Sequence, residues 1–481
     1  MINRQEHAPL MEALMAFKKE KPISFHVPGH KNGRIFQEQG RDIFDHILKI
    51  DATEIEGLDD LHAPEGAIRE AEQLLSDVYG TQKSYFLVNG TTCGNLAMIL
   101  GNCKEGDIVL VQRNCHKSIL NGLRLAKVKP IFLRNELNEE WGVAEGLSVR
   151  TVKKALSRYN GVKAIILTYP TYYGTANEIE EIIAIAHEHE VTVLVDEAHG
   201  AHFIAGTPFP KSSLTYGADY VVHSAHKTLP AMTMGSYLHV HRRVSDYHQV
   251  EMYLHMLQSS SPSYPIMASL DLARVFLGTI KKQDLNYCSV MADKFKTKLS
   301  EIEGIKVLQH DRAETDLLKL VLQTDGSFTG FQLQEMLNQH HLYSELADPK
   351  NVLFILPLLK ENADYPFDEA FQIIKSSVSQ LRGNGQLEEP LHIENEIEDI
   401  TELKISFKEM EIRNKKIVPL KNAANCIAAE TIIPYPPGIP YIMDGEMITE
   451  GKLVYLQQII EMDVHFHGGS YLKDRQILIY E

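Results

Sequence analysis

The 481-residue chain, 44% hydrophobic and 23% charged, is long enough for two or three domains around a large buried core. No apolar run reaches the roughly 18 residues that a membrane span needs, and the opening Met1-Ile2-Asn3-Arg4-Gln5-Glu6-His7 lacks the apolar core of a secretory signal, so a cytoplasmic location is the expectation. A formal net charge of −16 argues against nucleic acid or an anionic membrane as partner and is compatible with a cationic small-molecule substrate.

In chain order, Ser84–Val88 reads as the first buried strand, followed by Asn89-Gly90-Thr91-Thr92-Cys93-Gly94-Asn95 and a helical Leu96–Leu100. Glycines, free N–H groups, hydroxyls and a new helix's positive end suit such a turn to a phosphate. No Gly-Lys-Ser/Thr follows, so it is not a Walker loop. An ordinary strand-to-helix turn is the bland alternative. Further strands are expected at Asp107–Val111, Lys129–Leu133 and Ala164–Leu167, then a helix from about Glu178 to Glu190 and a strand at Val191–Val195. Strand, helix, strand within roughly 30 residues is a βαβ unit, and such units imply an α/β fold with a parallel sheet covered by helices.

The second polar cluster, Asp196-Glu197-Ala198-His199-Gly200-Ala201-His202, stands where the Val191–Val195 strand stops. A carboxylate there can pair with the protonated ring nitrogen of a cofactor and keep the ring electron-withdrawing. Two acids and two histidines within seven residues also fit a metal site, and a hydrogen-bonding loop is the plain alternative. The third cluster, Ser224-Ala225-His226-Lys227-Thr228, follows the expected strand Tyr220–His223. A partly desolvated lysine amine can stay neutral and form a Schiff base with an aldehyde. A solvated lysine is the usual outcome for an isolated one.

Beyond about residue 285 the pattern changes. Helices are expected near Val290–Ile302, Phe331–His340 and Asp368–Leu381, and strands at Ile305–Leu308, Leu317–Leu322 and Val352–Leu356. Gly383-Asn384-Gly385 and the acidic Glu388–Glu398 form the best linker. The expected division is an N-terminal arm over 1–36, a large domain over 37–285, a smaller α/β domain over 286–390 and a C-terminal domain over 391–481. Five scattered cysteines without a CxxC pair offer neither a disulfide framework nor a thiolate zinc site. His26 and His30 are separated by Pro28-Gly29, which breaks the helix that would align them on a metal, and His187-Glu188-His189 reads as a solvated helix end. His465 and His467 share a strand face at most.

A glycine-rich anion turn, an aspartate about 100 residues later and a lysine about 30 beyond resemble the layout of fold-type I pyridoxal-phosphate (PLP) enzymes. Five segments in order make the resemblance more specific: Phe25-His26-Val27-Pro28-Gly29-His30-Lys31, Gly57-Leu58-Asp59-Asp60-Leu61-His62, Arg113-Asn114-Cys115-His116-Lys117-Ser118, Ser224–Lys227 and Tyr435-Pro436-Pro437-Gly438-Ile439-Pro440. They resemble the ornithine/lysine/arginine decarboxylase family of the aspartate aminotransferase superfamily. The resemblance implies a large domain with a mainly parallel, seven-stranded-type sheet sandwiched by helices. It implies that Lys227 carries the cofactor, Asp196 pairs with the ring nitrogen and His116 stacks on the ring. Gly90, Thr91, Thr92 and Cys93, helped by Ser224 and His226, would surround the phosphate; His199 would lie at the cofactor in an undefined role. In the family a Ser/Thr-Ser-Pro segment of a neighbouring subunit completes the phosphate site, and Ser260-Ser261-Pro262 fits it, implying a homodimer or larger with shared sites.

Larger members carry an N-terminal wing domain, whereas here the Pro-Gly-His motif begins near residue 28. This compact form resembles biosynthetic arginine decarboxylases of Gram-positive bacteria, which implies L-arginine conversion to agmatine and CO2 in polyamine synthesis, ahead of lysine and ornithine. Asp59, Asp60, Glu65 and Glu446 are the candidate partners for the substrate's distal cation. A PLP aminotransferase or lyase, and a metal-dependent hydrolase built on Asp196, His199, His202 and His226, are the competing readings.

Overall fold

The computed structural model describes residues 3–176, 178–309, 314–384, 398–435, 440–461 and 465–481. Residues 385–397 of the expected linker and the Pro436–Ile439 part of the proline-rich motif lie outside them, while the linker's Gly383 and Asn384 end the helix Phe367–Asn384. The chain forms two compact units, residues 1–102 with 193–282, and residues 103–192 with 283–481. Among the described residues no helix is long and apolar enough to cross a membrane.

In the first unit, strands lie in the order Lys83–Leu87, Ser236–Val240, Tyr220–His223, Thr192–Asp196. The last two run parallel, with Asp196 opposite Val222. Ser236–Val240 is antiparallel to both of its neighbours. All residues of Tyr220–His223 and Ser236–Val240 are buried, as strands covered on both faces must be. The helix Ala67–Tyr79 packs through Ile68, Ala71, Leu74 and Leu75, a helical-period stripe, and ends at Gly80.

The helix expected at Leu96 begins instead at Gly90 and runs to Asn102. Gly90 has φ +74°, a left-handed value that a side chain resists, so it makes the sharp entry. At Gly94 a Cβ would lie 2.7 Å from Val222 Cγ1 and 2.8 Å from Leu87 Cδ1, so a missing side chain lets the helix lie directly on the strands. Thr91, Thr92 and Cys93 therefore belong to a helix's first turn rather than to a loop.

In the second unit, Ile108–Gln112 is flanked by Lys129–Leu133 and Val162–Thr168, all parallel. The helix Ile179–Glu188 follows the last of these. Ile400–Glu402, from the C-terminal segment, adds an antiparallel strand to Lys129–Leu133. That edge lay outside the expected seven-stranded plan, because nothing in a three-residue strand signals its partner. An antiparallel sheet in the order Ile305–Val307, Lys319–Thr324, Asn351–Ile355, Leu346–Ala347 carries the helices Gly330–Gln339 and Phe367–Asn384. The helix expected from Val290 begins earlier, at Lys282. C-terminal strands Lys415–Pro419, Gln476–Tyr480 and Ile427–Ala428 enclose their own apolar core, including Ile432, Ile442, Ile448 and Leu456.

Candidate active site

Asp196 is the last residue of its strand, 4% exposed. Its Oδ2 accepts a 2.8 Å hydrogen bond from Asn95 Nδ2 and its Oδ1 accepts from the Ala198 N–H at 3.2 Å. Asn95, fully buried, comes from the Gly90–Asn102 helix. The acid is thus aimed by one side-chain donor and one backbone donor.

One strand over, Tyr220–His223 ends and Ser224 begins the short helix Ala225–Thr228, which carries the half-buried Lys227. Lys227 Nζ lies 3.1 Å from Nε2 of His199, a buried residue of the turn after Asp196. His226 donates its backbone N–H to Gly235 O at 3.2 Å, and its ring Nδ1 is 3.0 Å from the same oxygen. His226 is therefore fixed through the main chain of residue 235.

Three hydroxyls gather at the start of the Gly90 helix. Thr91 Oγ1 hydrogen-bonds to Ser224 Oγ and to Ser236 Oγ, the latter at 3.1 Å. The first-turn N–H groups of a helix have no intrahelical acceptor, so this end offers backbone donors and a positive dipole beside the hydroxyls. Thr92 is exposed there, while Cys93 is buried and its thiol is pushed up to about 12 by that burial, leaving it neutral and unreactive. Gln258 reaches the same region: its Oε1 accepts from the Val88 N–H at 2.9 Å, and the Ser259 N–H donates to Asn89 Oδ1 at 3.4 Å. Ser260 and Ser261 are exposed on the loop that follows.

Below these residues, Glu197 is completely buried and accepts from Ser213 N–H at 2.8 Å and from the Ser213 hydroxyl. Its other oxygen is 3.1 Å from His223 Nε2. It ties the strand end after Asp196 to the end of Tyr220–His223 at His223. His202 packs its ring edge-on against Phe203 and Phe209. With His226 on a carbonyl and His202 among aromatics, the residues of the metal-hydrolase reading have other engagements. Among the described residues no group of three or more His, Cys, Asp or Glu is arranged to hold a metal.

In the second unit His116 caps the helix Lys117–Ala126. Its exposed ring accepts through Nδ1 from the Ser118 N–H at 3.2 Å and lies 2.8 Å from the Ser118 hydroxyl.

Two candidates for the substrate's cation have partners within the fold. Asp59 accepts backbone N–H bonds from Asp60, Glu65, Gly66, Ile68 and Arg69. It caps the helix Ala67–Tyr79 from outside; burial raises its pKa, but the N–H groups of Glu65, Asp60, Gly66 and Arg69 outweigh burial and hold it below the ordinary value. Glu446 is buried against Arg113, at 2.6 and 2.9 Å, and Lys452, at 2.9 Å. Burial opposes its ionisation, yet these cations bring its pKa down to about 2. Both charges are consumed inside the fold. Asp60 accepts from the His62 N–H at 2.8 Å, and Glu65 is exposed.

Sequence reasoning placed Asn95 in the first cluster without a role and missed Ser236. Asn95 sits four residues after Thr91, on the same helix face, a relation visible only once the helix starts at Gly90. Ser236 is placed by its pairing opposite Leu87, which no local pattern shows.

The chain matches the Orn/Lys/Arg decarboxylase major domain over residues 8–332 and the C-terminal domain of the same family over residues 393–471. It is 43% identical over 481 residues to an uncharacterized protein, YaaO, of Bacillus subtilis, covering 98% of each chain. It is 32% identical over 474 residues to an arginine decarboxylase of Bacillus anthracis, covering 96% of this chain and 95% of that one. In fold it resembles the lysine decarboxylase LdcF of Francisella novicida, with a TM-score of 0.79 at 21% identity, over 98% of this chain and 80% of that one. With its strand-end carboxylate, lysine and hydroxyl-lined helix start in place, the chain belongs to the Orn/Lys/Arg decarboxylase family.

Proposed function

We propose that this enzyme binds PLP and decarboxylates L-arginine to agmatine and CO2. The observation that carries the reading is the convergence, in one unit, of Asp196 on Asn95, Lys227 on His199, and Thr91 on Ser224 and Ser236. The donor set suits each part of the cofactor: an anion-binding helix start, a buried carboxylate for a ring N–H, and an amine for the aldehyde. Bound PLP supplies the electron sink into which the bond to the departing carboxylate can empty.

The chain's own residues do the rest. Thr91, Ser224 and Ser236 with the helix N–H groups bind the phosphate, with Gly90, Thr92, Cys93 and His226 around them. Asp196, oriented by Asn95, holds the ring nitrogen's proton. Lys227 would hold the cofactor through its amine and, 3.1 Å from His199, would return a proton to the substrate's α-carbon. His116 would serve the ring face. Arginine ranks ahead of lysine and ornithine because a full-length relative at 32% identity is named an arginine decarboxylase. Asp60 and Glu65 remain the candidates for the guanidinium.

The enzyme acts as a homodimer or larger assembly, the Ser260-Ser261-Pro262 segment of a second copy completing the phosphate site. Exposed apolar residues Ile23, Val27 and Ile35, with Phe25 97% exposed, support burial of the N-terminal arm by another copy. The four-part division at residues 36, 285 and 390 and a cytoplasmic setting belong to the same proposal. The deciding experiment incubates purified, PLP-loaded protein with arginine, lysine and ornithine separately and identifies amine, CO2 and α-keto acid. Agmatine with equimolar CO2 is expected; α-keto acid, or no reaction with any of the three, would overturn the proposal.

A further inference from the structure

Arg113 is among the largest fully buried side chains in the protein, and it stands three residues before His116. Its guanidinium donates from Nε to Pro440 O at 3.1 Å, from Nη1 to Thr401 Oγ1 at 2.8 Å and Glu446 Oε1 at 2.6 Å, and from Nη2 to Tyr441 O at 2.9 Å and Glu446 Oε2 at 2.9 Å. A guanidinium has five N–H donors, and here each has an acceptor. All of them come from the C-terminal segment. Glu446 is steadied in turn by Lys452 Nζ at 2.9 Å and the Met443 N–H at 3.2 Å.

The other end of Arg113 is equally held. Its N–H donates to Leu133 O at 2.9 Å, and the Cys115 N–H donates to Gln112 O at 3.2 Å. Gln112 donates to Asn114 Oδ1 at 2.8 Å and accepts from the Thr168 N–H at 3.1 Å. The turn over 112–116 is thus keyed to two neighbouring strand ends, and its last residue is the histidine that caps the next helix. Two of the segments that identify the family, around Arg113 and around Pro440, meet through this one side chain. Only a planar, bidentate cation reaches both Glu446 oxygens and two carbonyls together, which a lysine cannot do.

We propose that Arg113, Glu446 and Lys452 form a positioning network through which the C-terminal segment sets the orientation of the His116 ring. The proposal rests on the reading of His116 as the residue stacked on the cofactor. Members of such a network act as a unit, so their effects are non-additive with the residue they position.

The test uses the full-length PLP-loaded enzyme and the variants Glu446→Gln, His116→Ala and their combination, with visible circular dichroism of the bound cofactor and separate kcat and KM as readouts. Glu446→Gln alone is expected to lower kcat about tenfold, leave KM within about twofold and alter the visible dichroism. Added to His116→Ala, it is expected to change kcat less than about twofold and leave the dichroism of the single variant in place. An equal loss in both backgrounds would show that the network acts on the fold generally, and the proposal falls. If His116→Ala leaves dichroism and kcat unaltered, the stacking role itself is wrong, and the proposal goes with it. Should Glu446→Gln not yield folded protein, Lys452→Met takes its place under the same criterion, since it loosens Glu446 while keeping the Arg113 pair.

Discussion

Asn95 reaches Asp196 from a helix and His199 meets Lys227 from a turn, so the residues proposed for the cofactor's ring nitrogen and aldehyde each have a neighbour that orients them. Lys227→Ala is expected to abolish both the visible absorbance of bound cofactor and amine formation, read by spectrophotometry and product assay. Asn95→Ala removes the side-chain donor to a buried carboxylate, a loss worth about 1–3 kcal/mol. Activity at subsaturating PLP should fall roughly tenfold or more, since each 1.4 kcal/mol is tenfold; unchanged activity would mean that Asp196 needs no help. The positions of Asp196 and Lys227 were legible because Asp196 ends one apolar run and Lys227 follows another by four residues. The fates of Asp59 and Glu446 were not, because an acid that caps a helix or fills a buried ion pair looks in sequence like one awaiting a ligand.

The entry to the Gly90–Asn102 helix and the C-terminal ion network are where whole elements depend on single positions. A side chain at Gly94 would press on Val222 and Leu87. Overpacking of this kind costs typically 1–3 kcal/mol, so Gly94→Ala should lower the melting temperature and weaken PLP binding together as the helix lifts from the strands. The Glu446 carboxyl titrates near 2 in the folded enzyme against 4.5 ordinarily. Its folded value is depressed, so its contribution is full above about 4.5 and is lost as pH falls towards 2. Glu446→Gln should therefore destabilise the enzyme at neutral pH and flatten the acid limb of a melting-temperature profile in that window. Strands rich in Val, Ile and Leu were legible in advance to within a residue or two. Ser236-Tyr237-Leu238-His239-Val240 was not, since its histidine and serine mask a wholly buried strand. There His239 Nδ1 lies 2.7 Å from Ser84 Oγ, and burial, followed by nearby His223, lowers its pKa well below the usual range, so it sits in the core uncharged.

At the scale of the molecule, the chain passes from one compact unit to the other at residues 102, 192 and 282. Composition shifts mark domains that follow one another, and interleaved units leave none, so this division was invisible beforehand while the α/β class was plain. Shared sites predict complementation: Lys227→Ala and Ser261→Asp, each inactive alone, should on mixing recover about a quarter of wild-type activity, because half of random dimers are mixed and each has one intact site. No recovery, with subunit exchange verified, would confine each site to one chain. The three residues Ile400–Glu402 close the flank of Lys129–Leu133. A chain shortened to end before residue 400 would bare a row of unsatisfied main-chain groups along that strand, an invitation to strand-to-strand aggregation. Insolubility of such a fragment would thus reflect the uncovered border of Lys129–Leu133, and a soluble minimal version must either keep those three residues or blunt the border with charge.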